Sequence, residues 1–329
     1  MLRVGIIGMG KMGQLRAAVL NEIPGVKLCA VYDPLNEVDR WNISRASTAE
    51  ELVDNSDIDA VFICTPNYLN QSLTIKALNS GKHVFCEKPP TFNANEMEVV
   101  VSVERSADKV LMYGFNHRQH GSIHKMRELM DEQDYGQILW MRGRYGKSVD
   151  EGFLDNWRAT RKYAGGGILI DQGIHMLDLL LAFAGEFDRV HATVSNLYWK
   201  LDVEDNVFAT LENTQTGLVA SLHSTMSHWR HLFSLEIFLE RGYLVLNGLK
   251  TPSNTYGEET LTAFRISGPA AIKGNEEHFN FEIDRSWEIE IKEFVNAIQG
   301  NRTPKFGTSQ DAFKLMQLVD KIYEFRVEK

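Results

Sequence analysis

The sequence predicts an α/β chain: an N-terminal doubly wound parallel sheet followed by an α+β domain with an open, mainly antiparallel sheet. Three observations carry this. Short Val/Ile/Leu/Cys-rich runs at 3–7, 28–32, 60–64, 84–86 and 110–114 alternate with helical patterns, as parallel strands joined by crossover helices do. These runs are almost continuously hydrophobic, which suits strands covered on both faces. Beyond about residue 120 the rhythm changes to longer alternating runs at 138–145, 189–199, 207–212, 218–225, 233–239 and 243–246. Turn signals such as Thr216-Gly217 and Arg241-Gly242 separate neighbouring runs there, as in hairpins. The expected division is a dinucleotide-type domain over 1–120 and a substrate-binding and oligomerisation domain over 121–329.

The remaining elements follow the same rules. A helix is expected over 122–131, and residues 251–280, rich in Thr, Ser, Gly and Asn, read as loop with short strands. Two amphipathic helices, 286–298 and 309–325, close the chain around a loop at 300–307. With 329 residues, 43% hydrophobic and 24% charged, the chain can bury a full core in two domains. A net charge of -9 without a Lys/Arg run opposes a nucleic-acid partner. The 3 cysteines, Cys29, Cys64 and Cys86, lie in apolar runs and argue against a disulfide framework or a cysteine zinc site. The apolar run 176–184 contains Asp178 and falls short of the roughly 20 residues that cross a bilayer. No metal and no membrane partner are expected, and the chain reads as cytoplasmic.

Gly8-Met9-Gly10-Lys11-Met12-Gly13 fits GxGxxG directly after a strand and at the opening of a helix. The first glycine permits the tight turn, the second a close approach to a pyrophosphate, and the third close helix-strand packing. Lys11 and Met12, at the helix N-terminus, belong to the same phosphate contact. Asp33 ends the second strand about 20 residues on, where a carboxylate takes ribose hydroxyls. Its charge opposes a 2′-phosphate, and Pro34 and Leu35 supply no cation, so NAD is favoured over NADP.

Thr65-Pro66-Asn67 and Glu87-Lys88-Pro89 stand at the ends of the third and fourth strands, and Gly165-Gly166-Gly167-Ile168-Leu169-Ile170-Asp171-Gln172-Gly173-Ile174-His175 follows farther on. Together with the glycine turn, these segments resemble the glucose-fructose oxidoreductase / inositol dehydrogenase family, written Gfo/Idh/MocA. The resemblance implies a Rossmann domain followed by an α/β domain with an open sheet. It also implies that Lys88, Asp171 and His175 are the reacting groups, and that Thr65, Pro66, Asn67, Glu87 and Lys88 line the cofactor. The implied activity is hydride transfer between a nicotinamide cofactor and a secondary alcohol or ketone of a sugar, cyclitol or sugar derivative.

The residues support this without the resemblance. Asp171 and His175 stand at i, i+4 on an expected helix and so project from one face. Histidine exchanges protons near neutral pH, and a nearby carboxylate orients it. Lys88 sits at the carboxyl end of a parallel strand, where open α/β sheets hold their ligands. Trp157 and Arg158 resemble a segment that lines the substrate pocket in similar proteins, and Asn116, Arg118 and Tyr163 are further substrate candidates. Trp stacks on sugar faces, and Arg binds hydroxyls or anions. The stretch from His223 to His231 holds three histidines without zinc-motif spacing and is a pocket or subunit-contact candidate. Two departures from the family pattern are Asn70, where many members have histidine, and the missing aromatic at the end of residues 114–120. Alternatives are an NAD-dependent glycosidase or sugar-sugar oxidoreductase that retains its cofactor, and a catalytically silent NAD-dependent sensor, which needs no proton-transfer set. The uncovered sheet face suggests a homodimer or homotetramer.

Overall fold

The computed structural model describes residues 1–35, 43–132, 134–267 and 274–326. Its contacts divide the chain into two compact units, Met1–Asn116 with Trp287–Gln317, and His117–Ser286 with Leu318–Lys329.

The first unit begins with β1 (Leu2–Ile7), α1 (Lys11–Glu22), β2 (Val26–Tyr32), the two-residue β3 (Ser44–Arg45) and α2 (Ala49–Asp54). It continues with β4 (Ala60–Ile63), α3 (Asn70–Asn79), β5 (His83–Glu87), α4 (Ala94–Ala107) and β6 (Leu111–Gly114). The strands form one parallel sheet in the order β3-β2-β1-β4-β5-β6. Chain order reverses between β1 and β4, so a crevice opens at their carboxyl ends, where such sheets bind ligands. All four residues of β4 are buried, as its unbroken Ala-Val-Phe-Ile predicts for a strand covered on both faces.

α8 (Ser286–Gln299) returns to this sheet late in the chain. Its Ile291, Phe294 and Val295 join Val4, Ile6, Phe62, Phe85 and Met112 in one core. Phe62 and Phe85 stack at 4.8 Å, and Phe294 meets each edge-on. Under them lies a fully buried cation, Arg16, paired at 2.7 Å with both Glu87 and Glu290 and resting on the rings of Phe85 and Trp287. Removing one member of such a buried group costs about 3–5 kcal/mol, because it leaves an uncompensated charge.

The second unit starts with α5 (Gly121–Glu132), β7 (Ile138–Ser148) and α6 (Arg161–Ala164). A π-helical turn, Leu169–Gly173, then feeds α7 (Ile174–Ala184). The strands β8 (Arg189–Ser195), β9 (Asn206–Asn213), β10 (Leu218–Thr225), β11 (Ser227–Leu239), β12 (Gly242–Asn247), β13 (Glu259–Ile266) and β14 (Gly274–Phe281) follow, and α9 (Ser309–Tyr323) ends the element order. The 8-stranded sheet runs β14-β13-β12-β11-β7-β10-β9-β8 and is antiparallel except where β10 pairs with β7.

α7 packs on the inner face of this sheet; a Cβ on Gly143 of β7 would lie 2.4 Å from Met176. The outer face carries Arg142, Phe208, Thr210 and Val219 exposed. One sequence expectation needs correction. Residues 251–280 contain two full strands, β13 and β14, paired from Glu259↔Phe281 to Ile266↔Gly274, while 268–273 lie outside the described residues. Their side chains are polar or exposed on one face, and β14 is an edge strand, so the composition resembles a loop.

Candidate active site

The glycine turn lies at the carboxyl ends of β1, β2 and β4. Gly8 N donates to Tyr32 O, and Cys64 N to Ile7 O, each at 2.8 Å. Gly8 has φ +91°, and a Cβ there would stand 2.5 Å from Cys64 O; one on Gly13 would stand 1.9 Å from Gly8 O. Only glycine fits either place. Gly10 differs, because nothing lies within 4 Å of where its Cβ would be, and as N-cap of α1 it offers no side-chain cap. An open approach to uncapped helix N–H groups at Lys11 and Met12 is a cradle that fits a pyrophosphate. Asp33, buried, accepts from Met9 N at 2.6 Å and from Leu35 N at 2.8 Å. It thus braces the turn from just beyond β2. A cation that its sequence neighbours lack arrives from β3: Arg45 Nη2 donates to Asp33 O at 3.2 Å.

The two motif segments after β4 and β5 are joined through Asn70. This side chain is fully buried, donates to Glu87 O at 3.2 Å and Pro89 O at 2.8 Å, and accepts from Thr65 Oγ1 at 3.1 Å. Half-buried Lys88 sits between the two bonded carbonyls. Pro66 and Asn67 enter a short 3-10 turn, Asn67–Leu69, on the same side of the link.

In the second unit, the glycine segment reaches α7 under the control of Glu204. Its Oε1 accepts from Gly167 N at 2.9 Å, Leu169 N at 3.2 Å and Tyr323 OH at 2.8 Å, and Arg326 pairs with Oε2 at 2.9 Å. A Cβ on Gly167 would lie 1.9 Å from Glu204 O. Asp171 occupies the π turn that follows, a feature frequent at functional sites. Lys147 Nζ of β7 lies 2.5 Å from its Oδ2, and Arg158 Nε 3.6 Å from Oδ1. Lys147 rests on the Phe153 ring, and Arg158 on Trp157.

His175 is buried on α7 and stacks on His117, with ring centroids 3.8 Å apart. His117 Nε2 meets Tyr145 OH at 3.0 Å. Burial and the neighbouring Tyr256 push the Tyr145 phenol above its ordinary range, and burial does the same to Tyr256. Both phenols therefore keep their protons at neutral pH. The arrangement gathers two imidazoles, two phenols, an amine and a carboxylate, all able to hold or pass a proton.

Comparison with known proteins decides the lineage. Residues 2–115 match the family model described as "Oxidoreductase family, NAD-binding Rossmann fold", and residues 123–245 match the C-terminal domain model of the same family. The chain belongs to the Gfo/Idh/MocA family of oxidoreductases. Levoglucosan dehydrogenase of Pseudarthrobacter phenanthrenivorans is 27% identical over 75% of this chain and 73% of its own length. The 1,5-anhydro-D-fructose reductase of Ensifer adhaerens is 28% identical over 80% of this chain and 76% of its own. A solved levoglucosan dehydrogenase in complex with NADH and levoglucosan shares the fold at TM-score 0.88 and 23% identity, covering 98% of this chain and 96% of that one. The NAD-binding domain of this Gfo/Idh/MocA protein is thus the first unit's parallel sheet with its glycine turn.

Several of the expected side chains also hold partners inside the fold. Glu87, expected at the cofactor, gives Oε1 to buried Arg16 at 2.7 Å and so anchors the end of β5. Arg118, expected at the substrate, is buried in a two-point pair with Asp178 at 2.6 and 2.7 Å. Asp178, three residues beyond His175, thus has a buried partner in Arg118. Asn116 is buried at the head of a 3-10 turn, and Tyr163 of α6 is partly exposed with Lys162 Nζ 5.6 Å from its ring. Lys147, Tyr145 and His117 went unmarked because only the folded positions of β7 and of the 3-10 turn Asn116–Gln119 bring them to Asp171 and His175.

The histidine-rich segment divides. His223 stacks on Phe208 at 3.8 Å on the outer sheet face, beside a cavity of about 350 Å³ lined by Arg142, Arg144, His191 and Thr193. His231 meets the Tyr256 ring at 4.8 Å. Among the described residues no group of His, Cys, Asp and Glu is placed to hold a metal ion. The helical run Arg161–Ala184 is long and apolar enough to cross a membrane by length and composition alone, but 72% of its apolar window is buried inside the fold, as in a core helix.

Proposed function

We propose that the protein moves a hydride reversibly between nicotinamide and a secondary alcohol carbon, or the corresponding ketone, of a sugar or cyclitol. The observation that carries this reading is the proton-handling cluster at the entry of α7, with Asp171 between two cations and His175 stacked on His117, in a chain whose family binds NAD. The named relatives are a sugar dehydrogenase and a sugar reductase, in keeping with it.

In this reading Gly8, Gly10, Gly13, Lys11 and Met12 receive the pyrophosphate, Asp33 the ribose, and Thr65, Pro66 and Asn67 the nicotinamide end. NAD, when bound, supplies the hydride acceptor. His175 takes the hydroxyl proton during oxidation, and the Asp171 carboxylate, with Lys147 and Arg158 beside it, orients the imidazole and favours the charged form that results. Lys88 holds the substrate oxygen and stabilises its developing negative charge. Trp157, Arg158, Asn116 and Tyr163 border the substrate. The cytoplasm, where free Cys29, Cys64 and Cys86 stay reduced, and a homo-oligomeric state complete the proposal.

A screen of sugars and polyols with NAD, followed by NADH absorbance, tests it. Turnover is expected, and His175→Ala or Lys88→Ala should lower kcat by about 10²- to 10⁴-fold with NADH affinity little changed. Near-normal turnover by both variants would falsify the assigned roles.

A further inference from the structure

We propose that the natural substrate carries an anionic group, a carboxylate or a phosphate, and that the Arg158 guanidinium receives it. This rests on the reading of the Asp171 cluster as the substrate site.

Arg158 is held in place but is not saturated. Its backbone N–H is fixed by the Asn156 side chain at 3.1 Å, and its guanidinium carbon lies over Trp157, 4.2 Å from the ring centroid. The only charge it approaches among the described residues is Asp171, at 3.6 Å, beyond hydrogen-bond length. Two nearby arginines of this unit, by contrast, are engaged by carboxylates: Arg118 by Asp178 with two bonds, and Arg142 by Glu236 with three. Arg158 makes no such side-chain bond among the described residues, and 39% of its side chain is exposed. A guanidinium pre-oriented by stacking, with donors unused, is suited to bind a planar carboxylate or a phosphate by two parallel bonds.

The charges around it agree. Asp171 already has a counter-charge in Lys147, 2.5 Å from Oδ2 and itself nearly buried. Two cations therefore converge on one carboxylate, and a neutral sugar would leave the second without a counter-ion. His231, on the strand beside β7, feels the same field: burial, and then Lys147, holds its imidazole below the ordinary range. An anionic substituent on the sugar would balance Arg158 while Trp157 covers the ring face beside it.

The test is a matched panel with NAD: glucose, glucuronate, glucose 1-phosphate and glucose 6-phosphate, each with its neutral or charged counterparts. A charged sugar should exceed its neutral parent in kcat/KM by about tenfold or more, through charge-assisted hydrogen bonds to Arg158. Arg158→Ala should lower that charged-to-neutral ratio by about 10- to 100-fold, mostly through KM, and Arg158→Lys should restore part of it. Added salt should raise KM for the charged sugar only. The carboxylate and phosphate arms distinguish the two anions. Preference for neutral sugars, or a ratio unmoved by Arg158→Ala, overturns the proposal while leaving the dehydrogenase reading intact. If nothing in the panel turns over, calorimetric binding of the same sugars to the NADH-loaded protein decides. Binding that depends on Arg158 upholds the anion site and discards the redox reading, and absence of binding overturns the site.

Discussion

Asn70 shows how one amide can set the geometry of two segments. Its fully buried carboxamide ties partly buried Thr65 to the carbonyls on either side of Lys88. Asn70→Ala leaves two buried carbonyls and a hydroxyl without their partner, at about 1–3 kcal/mol each before relaxation. We expect a clear loss in thermal unfolding temperature and a fall in kcat larger than any change in KM for the sugar; wild-type values of both would remove Asn70 from this role. In the sequence, Asn70 stands out only as a departure from its family's usual histidine. Its partners are backbone atoms, which acquire positions only once β4 and β5 lie side by side. The buried counter-ions of Glu87 and Arg118 were invisible for a related reason: a charged residue in a motif names no partner until Arg16 or Asp178 is placed beside it. Gly8, Gly13 and Asp33 were legible because the constraint on each is local to the turn or set by a fixed spacing.

Among the elements, legibility follows burial. The parallel strands announce themselves because both faces are covered and their sequences are unbroken apolar runs; β13 and β14 do not, since an edge with a polar face resembles a loop. The π turn at Asp171 depends on Glu204 gripping Gly167 and Leu169 N–H groups from 35 or more residues away, so helical spacing alone could not reveal it. The pairing of β5 with β6 carries a pH-dependent element. Val110 N donates to His83 Nδ1 at 3.0 Å, and burial, then Lys109, lowers the His83 pKa from 6.5 to about 4. The unfolded chain therefore binds a proton that the folded chain refuses. His83 contributes stability above pH 6.5, and that contribution falls as pH drops towards 4. Unfolding free energy measured across that window should decline less steeply in His83→Gln than in the natural protein, and parallel curves would contradict the assignment.

At the scale of the molecule, an amphipathic pattern told that α8 buries one face but not that the face would be joined to the first unit's sheet core, because periodicity names no partner. The outer face of the second unit's sheet poses the same question for the assembly. Trp140, 39% exposed, stacks on Phe238 at 4.1 Å, and the row continues through Tyr243 to Phe264 at 5.3 and 5.1 Å. Phe208, 52% exposed, lies farther along the face, and Arg142 with Glu236 stands between them in an ion pair of three hydrogen bonds. Aromatic residues around an organised Arg–Glu pair have the composition of an interface core with its specificity element. A single face of this kind is satisfied by a second copy of itself about a two-fold axis, which closes the assembly without leaving a free patch. The protein should accordingly sediment as a dimer or tetramer, and Trp140→Glu with Phe208→Glu should shift it towards monomer while circular dichroism stays native. A natural protein that sediments as a monomer at every concentration tested would show that this face meets some other surface, or only water.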